Sequence, residues 1–161
     1  YGFGWESKLL EAGFYAIFLG PSTIGTPLPL IWMYAWLIFR VEFGAGLIKI
    51  RGDQCWRDLT CMSYHQETQP MPNPLSRYFH FSPALFHRLE TLFNHVVQLG
   101  IIWFIFFPQP IASIAAALII LSQLYLVISG NYSWLNWMTI FLAVTMVSDL
   151  VLTTYPGLSE S

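Results

Sequence analysis

Charge is what this sequence has least of: 7 basic and 9 acidic residues are spread over 161 positions. Soluble domains carry about 25% Asp, Glu, Lys and Arg, so there are too few charges here to build a water-facing surface. An ordinary soluble domain is thereby excluded. The basic residues form no run and the net charge is only −2, which sets nucleic acid aside as a partner. Cysteine is scarce as well, with Cys55 and Cys61 alone. With His65 and His80 they lack the close paired spacing of a structural zinc site, so no metal and no cofactor are expected. A six-residue separation on one helix would put the two thiols on poorly matched faces. A disulfide between them therefore requires a turn. The chain opens on Tyr1 with no basic region ahead of an apolar stretch, and both ends are read as cuts within a longer protein.

What is present instead is 55% hydrophobic and 17% aromatic residues, a composition suited to lipid. The expected fold is all-α, a polytopic transmembrane helical bundle of four to five spans around a polar, proline-rich central segment. The clearest span is 111–129, IASIAAALIILSQLYLVIS, free of charge and about as long as a bilayer core requires. Residues 135–155 follow after five residues and carry one acid, Asp149, so the two form an antiparallel hairpin. Residues 88–107 make a third span, stopped by Pro108 and Pro110. Residues 28–50 make a fourth, and 8–20 is either an interfacial helix or a truncated span. Between them, 51–87 leaves the hydrocarbon. Three prolines on alternate positions, Pro70, Pro72 and Pro74, impose an extended, stiff connection. Arg51, Arg57, Arg77 and Arg88 cluster in or beside this segment; by the bias of short loops alone, that places it on the cytoplasmic side.

Ionisable groups inside spans cost roughly 2.5–3.5 kcal/mol at a helix centre and usually face the bundle interior. Two helices carry them in register. Glu42, Gly46 and Lys49 are spaced four and three, on one face of 28–50. His87, Glu90, Asn94 and Gln98 are spaced three, four and four, one polar stripe about three turns long. The expectation is that the two stripes face each other, either as structural interhelical hydrogen bonds or with Lys49 as a base beside His87 and Glu90. Tyr78, Phe79, His80 and Phe81, with Trp56 upstream, are interface-type residues, read as an aromatic belt or as a peptide-docking surface. Asn131-Tyr132-Ser133 fits a glycosylation acceptor, but lies too near two membrane ends for occupancy.

The block GAGLIKIRGDQCWRDLTCMSYHQETQPMPNPLSRYFHFSP, residues 44–83, resembles the signature of the lipase maturation factor family. YGFGWESKLLEAGFYAIFLGP, FHRLETLFNHVVQL and SGNYSWLNWMTI resemble it in the same order. Within the block, the resemblance marks Arg51, Asp53, Trp56, Arg57, His65, Glu67 and Asn73 as signature positions. It implies a multi-pass endoplasmic reticulum membrane protein, or a plasma membrane protein in bacteria. Such a protein would help dimeric lipases of the lipoprotein lipase type to fold, assemble and leave the reticulum. The lipid bilayer and client lipases are the implied partners, the lipases engaged mainly through a C-terminal part absent from this chain. AGLIK also looks like the transmembrane domain of vitamin K-dependent gamma-carboxylases, which implies the alternative of a membrane enzyme with Lys49 as its base. Only Lys49 carries over to that chemistry.

Overall fold

A computed structural model describes residues 4–20, 25–69, 71–130 and 134–147. Every described element is helical. Helix α1 spans Gly4–Ala16, with a tighter turn over Ile17–Leu19, and α2 spans Leu28–Arg51. The polar segment holds three short helices: α3 (Gln54–Arg57), α4 (Cys61–Glu67) and α5 (Ser76–His80). Helix α6 begins at Ala84 and continues past His95 through a wider π turn, Val96–Gly100, and a tighter stretch, Ile101–Phe106. Helices α7 (Ile111–Ser129) and α8 (Leu135–Val144) complete the bundle.

Three of these helices are long and apolar enough to cross a membrane: Leu28–Arg51, Ala84–Phe106 and Ile111–Ser129, with Leu135–Val144 as a shorter apolar helix. At 1.5 Å per residue, α2 is about 36 Å long, enough for a hydrocarbon core of about 30 Å. The all-α membrane architecture is as the composition requires. The number of spans among the described residues is three plus this shorter helix, since the second half of 135–155, including Asp149, lies outside them. Asn131 does too.

Helix α1 runs antiparallel along α2: Glu11 pairs with Arg40, the Tyr34 hydroxyl donates to the Ala12 carbonyl at 3.2 Å, and Tyr15 stacks edge-on against Tyr34. The outward Leu10, Phe14 and Ile17 are exposed.

Between spans there is no hydrophobic drive, because lipid is as apolar as leucine; contact comes from dispersion and interhelical hydrogen bonds. The inner layer is Leu37, Ile38, Val97, Ile102, Ala116 and Ile119, all fully buried. An aromatic cluster of Phe39, Phe43, Trp103 and Phe106 locks α2 against the end of α6. Large apolar side chains face outward along every span, among them Leu89, Ile114, Leu121 and Phe141. In water such a surface would aggregate; in lipid it is the solvated one.

Candidate functional site: a polar joint between three spans

The two polar stripes meet, but not along their whole length. On α2, Glu42 is 2% exposed and accepts from Gln98 Nε2 at 3.1 Å and from Gln123 Nε2 at 2.7 Å. Two turns along, Lys49 Nζ donates to Asn94 Oδ1 at 2.5 Å and to Gln98 Oε1 at 2.9 Å, and lies 5.1 Å from the centre of the Trp56 ring. Gln98 is the hinge of the arrangement. Its amide serves the carboxylate with one end and the ammonium with the other, so one side chain connects Glu42 to Lys49.

Local geometry places it there. The π turn at Val96–Gly100 adds a residue to the helical period and re-aims Gln98 relative to an uninterrupted α-helix. On the facing helix, a Cβ built on Gly46 would come within 2.7 Å of Leu99 Cδ2 and 3.1 Å of Gln98 Cβ. Glycine is what lets α2 approach closely enough for the polar groups to touch.

His87 and Glu90 do not reach this joint. They pair with each other, His87 Nδ1 to Glu90 Oε2 at 2.8 Å, both in the interior. Their helix packs there against α4 of the polar segment rather than against Glu42 and Lys49. Of the four polar residues on that stripe, Asn94 and Gln98 bond to α2, while His87 and Glu90 lie where the helix packs on α4. Among the described residues Glu90 Oε1 is buried without a partner. The two cavities described, a groove of about 930 Å³ at the far end of α2 and a recess of about 510 Å³ beside Cys55, are lined by neither Lys49 nor Glu90.

The signature positions fall into three groups. Asp53 caps α3, accepting from the Cys55 amide at 2.9 Å, and Trp56 offers its ring to Lys49 and its carbonyl to His95 Nε2 at 3.0 Å. His65 lies half-buried on α4, where desolvation and then the charge of Lys49 hold its imidazole below the ordinary range. Asn73 belongs to a clasp: its Nδ2 donates to the Ile128 carbonyl at 2.8 Å, while Ser76 Oγ and Gln69 Nε2 donate to the Ser129 carbonyl at 2.7 and 3.2 Å. These are the carbonyls that the end of α7 leaves without intrahelical partners. Arg51, Arg57 and Glu67 are exposed.

Cys55 and Cys61 are joined as a disulfide, with Cα atoms 4.7 Å apart. The turn that the spacing demands is there: α3 ends at Arg57, Leu59 takes a left-handed conformation, and α4 starts at Cys61 itself. Closing so short a loop stabilises by about 2 kcal/mol in the chain-entropy account. Cys55→Ser in the full-length protein is expected to lower stability by about 2 kcal/mol, read as a fall in the thermal midpoint in detergent, without dispersing the spans. The comparison with Asn73→Ala is informative, because loss of the clasp is expected to cost about 1–2 kcal/mol and to expose the α7 end to proteolysis.

Three contributors escaped the sequence reading: Gln123, Gln69 and Ser76. Gln123 had a signal, as the one amide in a 19-residue helix that carries no charge. Gln69 and Ser76 had none beyond their place beside the prolines.

The arrangement of helices, disulfide and clasp is carried by residues that span nearly the whole chain, and a profile described as the lipase maturation factor transmembrane domain matches residues 1–154. The chain belongs to the lipase maturation factor family. It is 51% identical over 160 residues to Lipase maturation factor 1 of Bos taurus and, equally, of Homo sapiens, covering 94% of this chain and 28% of each relative. It is 32% identical over 159 residues to Lipase maturation factor 2 of Gallus gallus, covering 91% of this chain and 22% of the relative. The chain thus spans less than a third of the length of these lipase maturation factors. No solved structure matches. None of these matches shows the resemblance to gamma-carboxylases.

Proposed function

We infer that this chain is the membrane core of a factor that assists secreted dimeric lipases to fold, assemble and leave the endoplasmic reticulum, acting as a scaffold rather than as a catalyst. The bilayer is its immediate partner, and client lipases are engaged through the length that the relatives have beyond it. The observation that carries the scaffold reading is the closed polar joint. Lys49 spends its ammonium on two amide oxygens and an aromatic face, and Glu42 accepts from two amides, so both are occupied by the bundle itself. Such bonds between spans contribute about 0.6–2 kcal/mol each.

The disulfide supports the location. Disulfides persist in oxidising compartments such as the reticulum lumen and are rare in the cytosol, so the polar segment is assigned to the lumenal side. The arginine bias points the other way, and the disulfide outweighs it: loop charge is a statistical preference, whereas a crosslink needs an oxidising compartment to persist.

The test is Lys49→Ala in the full-length protein, expressed in cells that lack it. Secreted lipase activity is expected to fall only in step with the amount of factor in the membrane. Activity that collapses at a normal level and location would sink the scaffold reading in favour of a membrane enzyme with Lys49 as its base.

A further inference from the structure

Arg40 lies near the middle of α2, 12 residues from Leu28 and 11 from Arg51, which at 1.5 Å per residue is about 18 and about 17 Å from the two ends. In a hydrocarbon core about 30 Å thick, neither headgroup layer is within reach of its side chain. It is nevertheless on the outward side of the helix. Met33, Trp36 and Arg40 are spaced three and four and share one face, and Met33 and Trp36 are 38% and 49% exposed. On α1, Glu11, Phe14 and Phe18 repeat that spacing, and both phenylalanines are exposed. The bond from Arg40 to Glu11 joins the two stripes, so on these antiparallel helices they run side by side. The pair itself is open, with 35% of the arginine side chain and 27% of the glutamate exposed. Among the described residues α1 packs mainly against α2, and nothing covers this face.

The cluster is short of negative charge. Glu11 accepts from the Tyr15 hydroxyl at 2.5 Å as well as from Arg40. Among the described residues Arg40, whose guanidinium has five N–H donors, makes that one hydrogen bond. Lys8, near enough to interact with both charges, joins no ion pair among them. Glu6 is two positions from Lys8 and so faces elsewhere. Two cations thus stand against one carboxylate deep in the hydrocarbon, where ionisable groups usually face the bundle interior and pair with one another. We propose that this outward face is internal in the full-length protein: a further transmembrane helix of the same polypeptide, from outside residues 1–161, packs along the two stripes and presents an aspartate or glutamate to Arg40 and Lys8. Charge and depth select that occupant. Lipid chains offer no acceptor, and lipid phosphate lies too far away. A second copy would bring another surplus of positive charge, and a soluble client has no segment at this depth. The chain spans 28% of the length of related factors, so the full-length protein has residues to supply the helix. The inference does not depend on any role in lipase handling.

The test uses the full-length protein in cell membranes, with the photoreactive amino acid p-benzoylphenylalanine in place of Phe14 or of Trp36. Both positions are aromatic and exposed, and both flank the ion pair without belonging to it. After irradiation the cross-linked peptides are sequenced by mass spectrometry. Both probes are expected to join one and the same segment outside residues 1–161, and that segment to hold an acidic residue within an apolar run. Lys8→Gln, which removes none of the cluster's hydrogen bonds, is expected to cut the yield from both probes severalfold, and Lys8→Arg to keep it. Neutralising the acid in the captured segment is expected to match the loss from Lys8→Gln, and the two changes together to add little, because they remove one attraction. Capture of lipid alone, of a second copy, of another protein or of residues 148–161 overturns the proposal. So does a captured segment without an acid, or a yield that Lys8→Gln leaves unchanged.

Discussion

Glu42→Ala is expected to lose about 2–4 kcal/mol of bundle stability and to leave little folded protein in the membrane. The carboxylate is 2% exposed and takes one amide from α6 and one from α7, so its removal leaves the Gln98 and Gln123 donors buried with nothing to bond. An unsatisfied buried donor costs about 1–3 kcal/mol, and in a membrane no water enters to relieve it. Glu42→Gln keeps one acceptor oxygen for two donors and is expected to fall between the parent and Glu42→Ala. The check is thermal unfolding of the full-length protein in detergent, together with its steady-state level. A cycle with Gln123→Ala sharpens it: the two changes are expected to cost clearly less together than the sum of their separate costs, because they delete the same bond. Strict additivity would show that Glu42 acts outside the joint.

Gly46→Val is expected to be the most damaging substitution on α2 that changes no charge, at roughly 3 kcal/mol. A Cβ at 46 already comes within 2.7 Å of Leu99 Cδ2 and 3.1 Å of Gln98 Cβ, valine adds two branched carbons to it, and overpacking costs about 1–3 kcal/mol. Parting the helices then weakens the Lys49 and Glu42 contacts to Gln98 as well. Gly46→Ala is expected to be milder, because the nearest atom is the end of a leucine side chain that turns aside at small cost. Gly44 is the control. A Cβ there meets nothing within 4 Å, so Gly44→Ala is expected to leave stability unchanged or raise it slightly through helix propensity. Unfolding midpoints of the three variants check the order, and equal costs at 44 and 46 would refute the close approach at Gly46.

These two glycines mark the limit of the sequence reading. Gly44 and Gly46 stand two apart in the same apolar run, and either satisfies the rule that small residues admit a neighbouring backbone. Which one does so depends on the rotation of α2 against α6, set by the packing of Leu37, Ile38 and Val97. The polar stripe of α6 behaves similarly. Its spacing puts His87, Glu90, Asn94 and Gln98 on one face, but it could not divide them between α4 and α2, nor foresee the π turn that aims Gln98 at two partners at once. For the cysteines, spacing demanded a turn; whether one brought the sulfurs together was a matter of the chain's path through Leu59.

By itself the sequence determined the medium, the helical architecture and the family. Too few charges for a water surface, apolar runs of bilayer length and a long signature block are properties of composition and order, which need no contact between distant residues. Only the tertiary structure decided that Glu42 closes on Gln123, that Lys49 bonds to the amides of Asn94 and Gln98, and that the proline-stiffened segment clasps the end of α7. Each of those contacts joins residues 45 to 81 positions apart. Their partners are chosen by helix rotation and crossing, which spacing along a single helix leaves free.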